Sequence, residues 1–288
     1  MKVVTHRTAK PSDYNKESES YDAFNESHST LINYTTEQIL KKYNVQTVLD
    51  LACGTGSQVF WLTQQGFNVT GSDINQKMLK IAKGKAILLR QGGVYPEQSR
   101  RDGQEKENIR VRFLKDDMRT AHIGEFDAVI TIFNSIGHLT KADFEIAINN
   151  TRKNLKKDGL YIFDIANLNY FLKDDHITDL TVDWLTTTND TQFRDIQYST
   201  INADGILAFY TTSIIQKRAV PGVAQGAQTD SETPKISKSI KTLQIYTAVQ
   251  LQEMLNKNGF TVLEQCAIDG SKFDEHKTDR ILTIARKQ

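Results

Sequence analysis

The 288-residue chain is poor in several things, and each scarcity narrows what it can be. Its two cysteines, Cys53 and Cys266, are too few and too far apart for the disulfide framework of a small secreted domain. Each sits in an apolar segment, which suits a reducing, cytoplasmic compartment. Only four prolines occur, and none interrupts a segment with strand or helix patterning. Charge of one sign is missing too. The net charge of +1 supplies no counterion-release term for sequence-independent binding to nucleic acid, so nucleic acid is not expected as a partner. No apolar run approaches the roughly 18 residues of a membrane span, and residues 1–14 lack the apolar stretch of a leader, so no membrane partner is expected either. The histidines at 6, 28, 122, 176 and 276 form no metal-spaced pair with one another or with cysteine, and no metal is expected.

What is present alternates. Near-continuous β-branched runs at Thr47–Leu51, Asn68–Ser72, Val111–Leu114, Ala128–Phe133 and Leu160–Ile165 read as buried parallel strands separated by segments of helical spacing. Thr140 and Asp143 mark a helix start before a stripe of Phe144, Ala147, Ile148, Thr151 and Leu155. Thr247 with Gln250 opens another helix, through Leu251 and Leu255 to a stop at Asn258 and Gly259. This order predicts an α/β fold: a doubly wound, Rossmann-like, mostly parallel sheet. Between Val182 and Gln216 the period changes to two, with turn signals at Asn189-Asp190 and Asp204-Gly205. That pattern predicts an antiparallel β insertion, placed as a lid before the C-terminal helix and strands. Gly- and Pro-containing stretches at 91–108 and 218–233 read as loops. The expected organisation is an N-terminal helical segment over 1–45, a ligand-binding core over 46–167, the insertion over 168–240 and a completing helix and strands over 241–288.

The chemistry concentrates in Val48-Leu49-Asp50-Leu51-Ala52-Cys53-Gly54-Thr55-Gly56, a strand followed at once by a Gly-rich turn. Glycine there lets a ligand approach the backbone, because no Cβ intervenes. Asp73, at the end of the next strand, is placed to accept hydrogen bonds from ribose hydroxyls, which implies an adenosine-containing ligand. A dinucleotide site would want a third glycine where Val59 stands. Asp50 would also repel a pyrophosphate, whereas it suits an ammonium or sulfonium group.

These motifs resemble those of the class I S-adenosylmethionine (SAM) dependent methyltransferases over roughly residues 14–165 and again near the C-terminus. The resemblance implies SAM as cofactor, with Asp50, Ala52, Gly54 and Gly56 around its methionine moiety and Asp73 and Ile74 at the ribose. It also implies Asp117 and Met118 flanking the adenine, and Phe133 and Asn134 closing the site beside the methyl donor. Met78, at helical spacing from Ala82, suits either the core or the cofactor pocket. Phe133-Asn134-Ser135-Ile136-Gly137-His138-Leu139 is similar to a segment of small-molecule N-methyltransferases, including glycine/sarcosine and amino-sugar enzymes. Tyr14 and Tyr21 resemble their entrance segment, Tyr14 toward the cofactor and Tyr21 toward catalysis, or are surface tyrosines. His138 is placed to take or relay an amine proton, or to serve structure alone. Where the glycine-type enzymes carry a carboxylate-gripping arginine this chain has Ala166, which argues against a simple amino acid as substrate, with Arg119 as a candidate replacement. The function implied is methyl transfer from SAM to a small-molecule acceptor, most readily an amine. The alternatives are a nucleotide-dependent oxidoreductase and a non-catalytic SAM-binding protein.

Overall fold

The apolar runs pair as a seven-stranded sheet in the order β10-β11-β5-β4-β1-β2-β3, seen in a computed structural model that describes residues 21–90, 111–173, 182–187, 191–202, 204–217 and 233–288. Strands β1 (Thr47–Leu51), β2 (Asn68–Asp73), β3 (Arg112–Lys115), β4 (Phe126–Thr131) and β5 (Leu155–Ala166) run parallel. Strand β11 (Arg280–Lys287) pairs antiparallel with β5, and β10 (Phe260–Ala267) pairs antiparallel with β11. From β1 the chain steps outward to β2 and β3 and then returns to β4 on the other side of β1. That reversal opens a crevice at the carboxyl ends of β1 and β4, the place where such sheets take ligands.

Each face of the sheet is covered because its strands are apolar on both sides. Helices α1 (Tyr21–Lys42), α2 (Ser57–Gln64) and α3 (Gln76–Arg90) supply the cluster that holds Leu40, Val59, Phe60 and Leu79. Helices α4 (Lys141–Lys153) and α6 (Ala248–Lys257) supply the one that holds Phe144, Ile148, Leu251 and Leu255. Both helix starts behave as the sequence predicts. Thr140 Oγ1 accepts from Asp143 N–H, while Thr247 and Gln250 complete a reciprocal capping box.

Leu155 is the exception on α4: it opens β5 instead of extending the helical stripe. Fully buried Asn154 stops the helix one residue earlier, its amide donating to Ala121 and Asn150 carbonyls while its Oδ1 accepts from Ile123 N–H. Strand β4 likewise ends at Thr131, short of Phe133. Phe133 and Asn134 both take left-handed φ values of 64° and 56°, which no pleated strand accommodates.

The insertion is a separate antiparallel sheet, β6 (Val182–Thr187), β7 (Thr191–Ile201), β8 (Ile206–Lys217) and β9 (Lys235–Gln244). Its fourth strand crosses the expected boundary at residues 240 and 241. Lysines at 235, 238 and 241 blur the alternation of β9, and ladder pairing with β8 from Ile206↔Gln244 to Ile215↔Lys235 defines it instead. Between these sheets the short helix α5 (Leu168–Leu172) follows β5. The loop segment 91–108, residues 218–232 of the second loop and the Asn189-Asp190 turn lie outside the described residues. Among the described residues no helix is long and apolar enough to cross a membrane.

Candidate active site

Parallel pairing places the ends of β1, β2, β3 and β4 on one edge, so the turns that follow them share a rim. After β1, Ala52, Gly54 and Gly56 adopt positive φ of 69°, 55° and 92°. At Gly56 a Cβ would stand 2.7 Å from the Phe60 ring, so the turn requires glycine there for packing as well as for conformation. The close helix–strand approach that a third glycine at position 59 would give comes instead from β2. A Cβ on Gly71 would lie 2.9 Å from both Val59 Cγ2 and Cys53 Sγ.

Asp73 stitches the β1 turn to the end of its own strand. Its Oδ2 accepts from Gly54 N–H at 2.8 Å and its Oδ1 from Asn75 N–H at 2.7 Å, and each oxygen keeps a further lone pair. Burial raises its pKa, partly offset by these two amide bonds. Asp50 is more extreme. It is 1 % exposed, its Oδ2 has no hydrogen-bond partner, and burial, then the Asp73 charge, push its pKa well up. A buried carboxylate oxygen left without a donor is costly unless a cation or donor from outside the chain satisfies it. The ammonium of a methionine moiety is such a donor, so the residues present fit SAM.

The other expected cofactor residues divide. Ile74 is 62 % exposed directly after Asp73, an open apolar side chain on the rim, whereas Met78 is 3 % exposed and its amide donates to Asn75 Oδ1. Asp117 is held by Arg119, with Nη2 to Oδ2 at 2.6 Å and Nε to Oδ1 at 3.0 Å, and that bond keeps its pKa low. Met118 packs against the core cluster of α4. Because Arg119 also donates to Asp143 Oδ1 at 3.1 Å, its guanidinium is held between two carboxylates. Tyr14 lies outside the described residues, and Tyr21 is the first residue of α1.

His138 ends the 3-10 turn Ser135–His138 after β4. Burial, then the Lys241 charge on β9, lower its pKa to about 4, so the imidazole is neutral at pH 7. Next to it, a Cβ on Gly137 would come 3.2 Å from Leu243 Cδ2 and from the Gln244 carbonyl oxygen, so the end of β9 lies directly against this turn.

Two residues of this rim escape a reading of the sequence. Asp164, fully buried on β5, accepts from Phe133 N–H at 2.6 Å and from Arg280 Nε at 3.0 Å. A single carboxylate inside the apolar run Leu160–Ala166 was the available signal for Asp164, but nothing marked Arg280, 116 residues away, as its partner.

Residues 49–163 match the family model described as a methyltransferase domain. Human glycine N-methyltransferase is 31 % identical over 139 residues, which cover 46 % of this chain and 45 % of that enzyme, so the chain spans under half of that relative's length. Among solved structures, a SAM-dependent methyltransferase from Clostridium acetobutylicum ATCC 824 aligns over 96 % of this chain and 99 % of its own, with TM-score 0.67 and 19 % identity. The sugar N-methyltransferase KedS8 from Streptoalloteichus sp ATCC 53650 aligns over 100 % and 98 %, with TM-score 0.66 and 14 % identity. At those identities the two structures share the fold.

Proposed function

We propose that the chain, which carries a methyltransferase domain on this fold, is a class I SAM-dependent methyltransferase and that it methylates the amine nitrogen of a small molecule. The observation that carries the reading is Asp50 Oδ2, buried and without a donor at the open glycine turn beside Asp73. It favours a cationic adenosyl ligand over a nicotinamide dinucleotide. The amine is suggested by the enzymes that share this sequence or this fold, glycine and sugar N-methyltransferases. When bound, SAM supplies an electrophilic methyl group on a sulfonium sulfur.

The chain's own residues then bind, orient and exclude water. Asp50 takes the ammonium of the methionine moiety, Asp73 with Ile74 the ribose, and Asp117 with Met118 the adenine. Phe133 and Asn134 wall the reacting end, and the β6–β9 sheet, resting on the Gly137–His138 turn, closes over the acceptor as a lid. An alkylamine with a pKa near ~10.4 loses its proton at pH 7 at a cost of roughly 4 to 5 kcal/mol. With a pKa of about 4, His138 does not hold that proton at rest. It accepts an N–H hydrogen bond from the neutral amine and aligns the lone pair for in-line displacement, where positioning supplies most of the acceleration.

Calorimetry tests the reading. SAM and S-adenosylhomocysteine should bind and NAD should not, and Asp73→Ala should weaken SAM by ~1.5 to 3 kcal/mol, the worth of a hydrogen bond to a charged group. Tight NAD binding, or an Asp73→Ala protein with unchanged SAM affinity, overturns it.

A further inference from the structure

The turn Phe133–Asn134 stacks two consecutive non-glycine residues in the left-handed region, a conformation that L side chains resist and that persists only where surroundings enforce it. Here the enforcement is one carboxylate. Asp164 Oδ1 accepts from Phe133 N–H at 2.6 Å and Oδ2 accepts from Asn134 N–H at 3.3 Å. The same Oδ2 also receives Nε, at 3.0 Å, and Nη2 of Arg280. The guanidinium in turn lies 5.6 Å from the centroid of the Phe133 ring, and Asn134 closes the loop by accepting from Ala166 N–H at 2.8 Å. Arg280 reaches this point because β11 pairs it directly opposite Ala166, the last residue of β5. Asp164 is fully buried, so Arg280 supplies the charge partner that a buried carboxylate needs, and without it the group that holds the turn would stand unpaired.

We infer that Arg280, acting through Asp164, is a positioning residue for methyl transfer: the pair fixes Phe133 and Asn134 against the transferred methyl group, so a strand on the antiparallel side of the sheet sets the geometry of the reacting end. The inference rests on the methyltransferase reading, which places these two residues beside the methyl donor.

The test is the NMR resonance of [methyl-13C]SAM titrated into the full-length protein and into Arg280→Met, Arg280→Lys and Asp164→Asn. Leu255→Ala, in a fully buried position on α6, serves as a control that is destabilised away from the turn. In Arg280→Met and Asp164→Asn the bound methyl resonance should move toward its free-solution position and SAM affinity should fall by roughly three- to tenfold, the scale of one hydrogen bond. Arg280→Lys keeps the charge but loses the planar fork and should fall between them and wild type. Leu255→Ala should melt earlier yet keep the wild-type resonance, which separates positioning from stability. If Arg280→Met does not fold, the lysine variant decides. Folded variants at 164 or 280 with wild-type resonance and affinity overturn the clamp. Wild-type protein that shows no bound resonance overturns the methyltransferase reading, and the clamp with it.

Discussion

Asp50 and His138 show how burial sets the task of a titratable group. Asp50 has a raised pKa, so the fold without ligand is penalised as pH rises from the ordinary carboxylate range, near ~3.9, toward the raised value, and the penalty is fully present above it. Asp50→Asn should therefore raise the melting temperature of the ligand-free protein while weakening SAM by ~1.5 to 3 kcal/mol. Thermal melts with and without SAM check both signs at once, and equal effects on the two states would remove Asp50 from the binding site. His138 has its pKa lowered to about 4, so it stays neutral throughout the working range. The rate should follow the ionisation of the acceptor amine, with no break near pH 6.5. His138→Ala should lower kcat by about 10- to 100-fold, the worth of a hydrogen bond to a developing cation, with SAM affinity within about threefold of wild type. A pH–rate profile with an inflection near 6.5 that disappears in the alanine variant would make His138 the resting base instead.

At the level of elements, the sequence was informative wherever local chemistry is self-announcing. The capping pair Thr247 and Gln250, the Gly turn after β1 and the apolar parallel strands all carry their cause in a few adjacent residues. Strand β9 was illegible because its partner, not its own pattern, defines it: Ser237 and Ser239 face Ser213 and Thr211, and Lys238 occupies the row of Ile236 and Ile240. The end of α4 is illegible for a related reason, since Asn154 stops the helix by bonding to the 121–123 segment and no short window contains both partners. The candidate site divides the same way. The backbone turn and Asp73 were readable from spacing, whereas the commitment of Arg119 to Asp117 and Asp143 and the reach of Arg280 to Asp164 depend on contacts made in three dimensions.

Across the whole molecule the two edges of the parallel sheet differ in how they treat a buried carboxylate. At the carboxyl edge Asp50 Oδ2 is buried without a partner, a feature that costs stability and that the proposed site gives to a ligand. At the opposite edge, about 16 to 20 Å away along strands of five or six residues, Asp127 does the reverse. Its carboxylate accepts from Gln46 N–H at 3.1 Å, Thr47 N–H at 2.8 Å, Thr47 Oγ1 at 2.9 Å and Lys156 Nζ at 2.8 Å, tying β1, β4 and β5 together at their starts. Burial alone would raise its pKa, but the Lys156 hydrogen bond and those from Thr47 and Gln46 outweigh it and hold the group at about 2. A depressed carboxyl stabilises the fold above its unfolded pKa, near ~3.9, and that contribution drains away as pH falls toward 2. Partial exposure, 28 % of the side chain, reduces the value to about 1 to 2 kcal/mol. Asp127→Ala should accordingly lower unfolding stability by that amount at pH 7, and the gap to wild type should close as both are brought toward pH 2. SAM affinity at pH 7 should be unchanged, because this cluster lies at the starts of the strands and the rim at their ends. Denaturant melts at several pH values, paired with SAM titration at pH 7, decide the matter. A stability gap that persists at pH 2, or a loss of SAM binding in the folded variant, would show that the two edges are not independent.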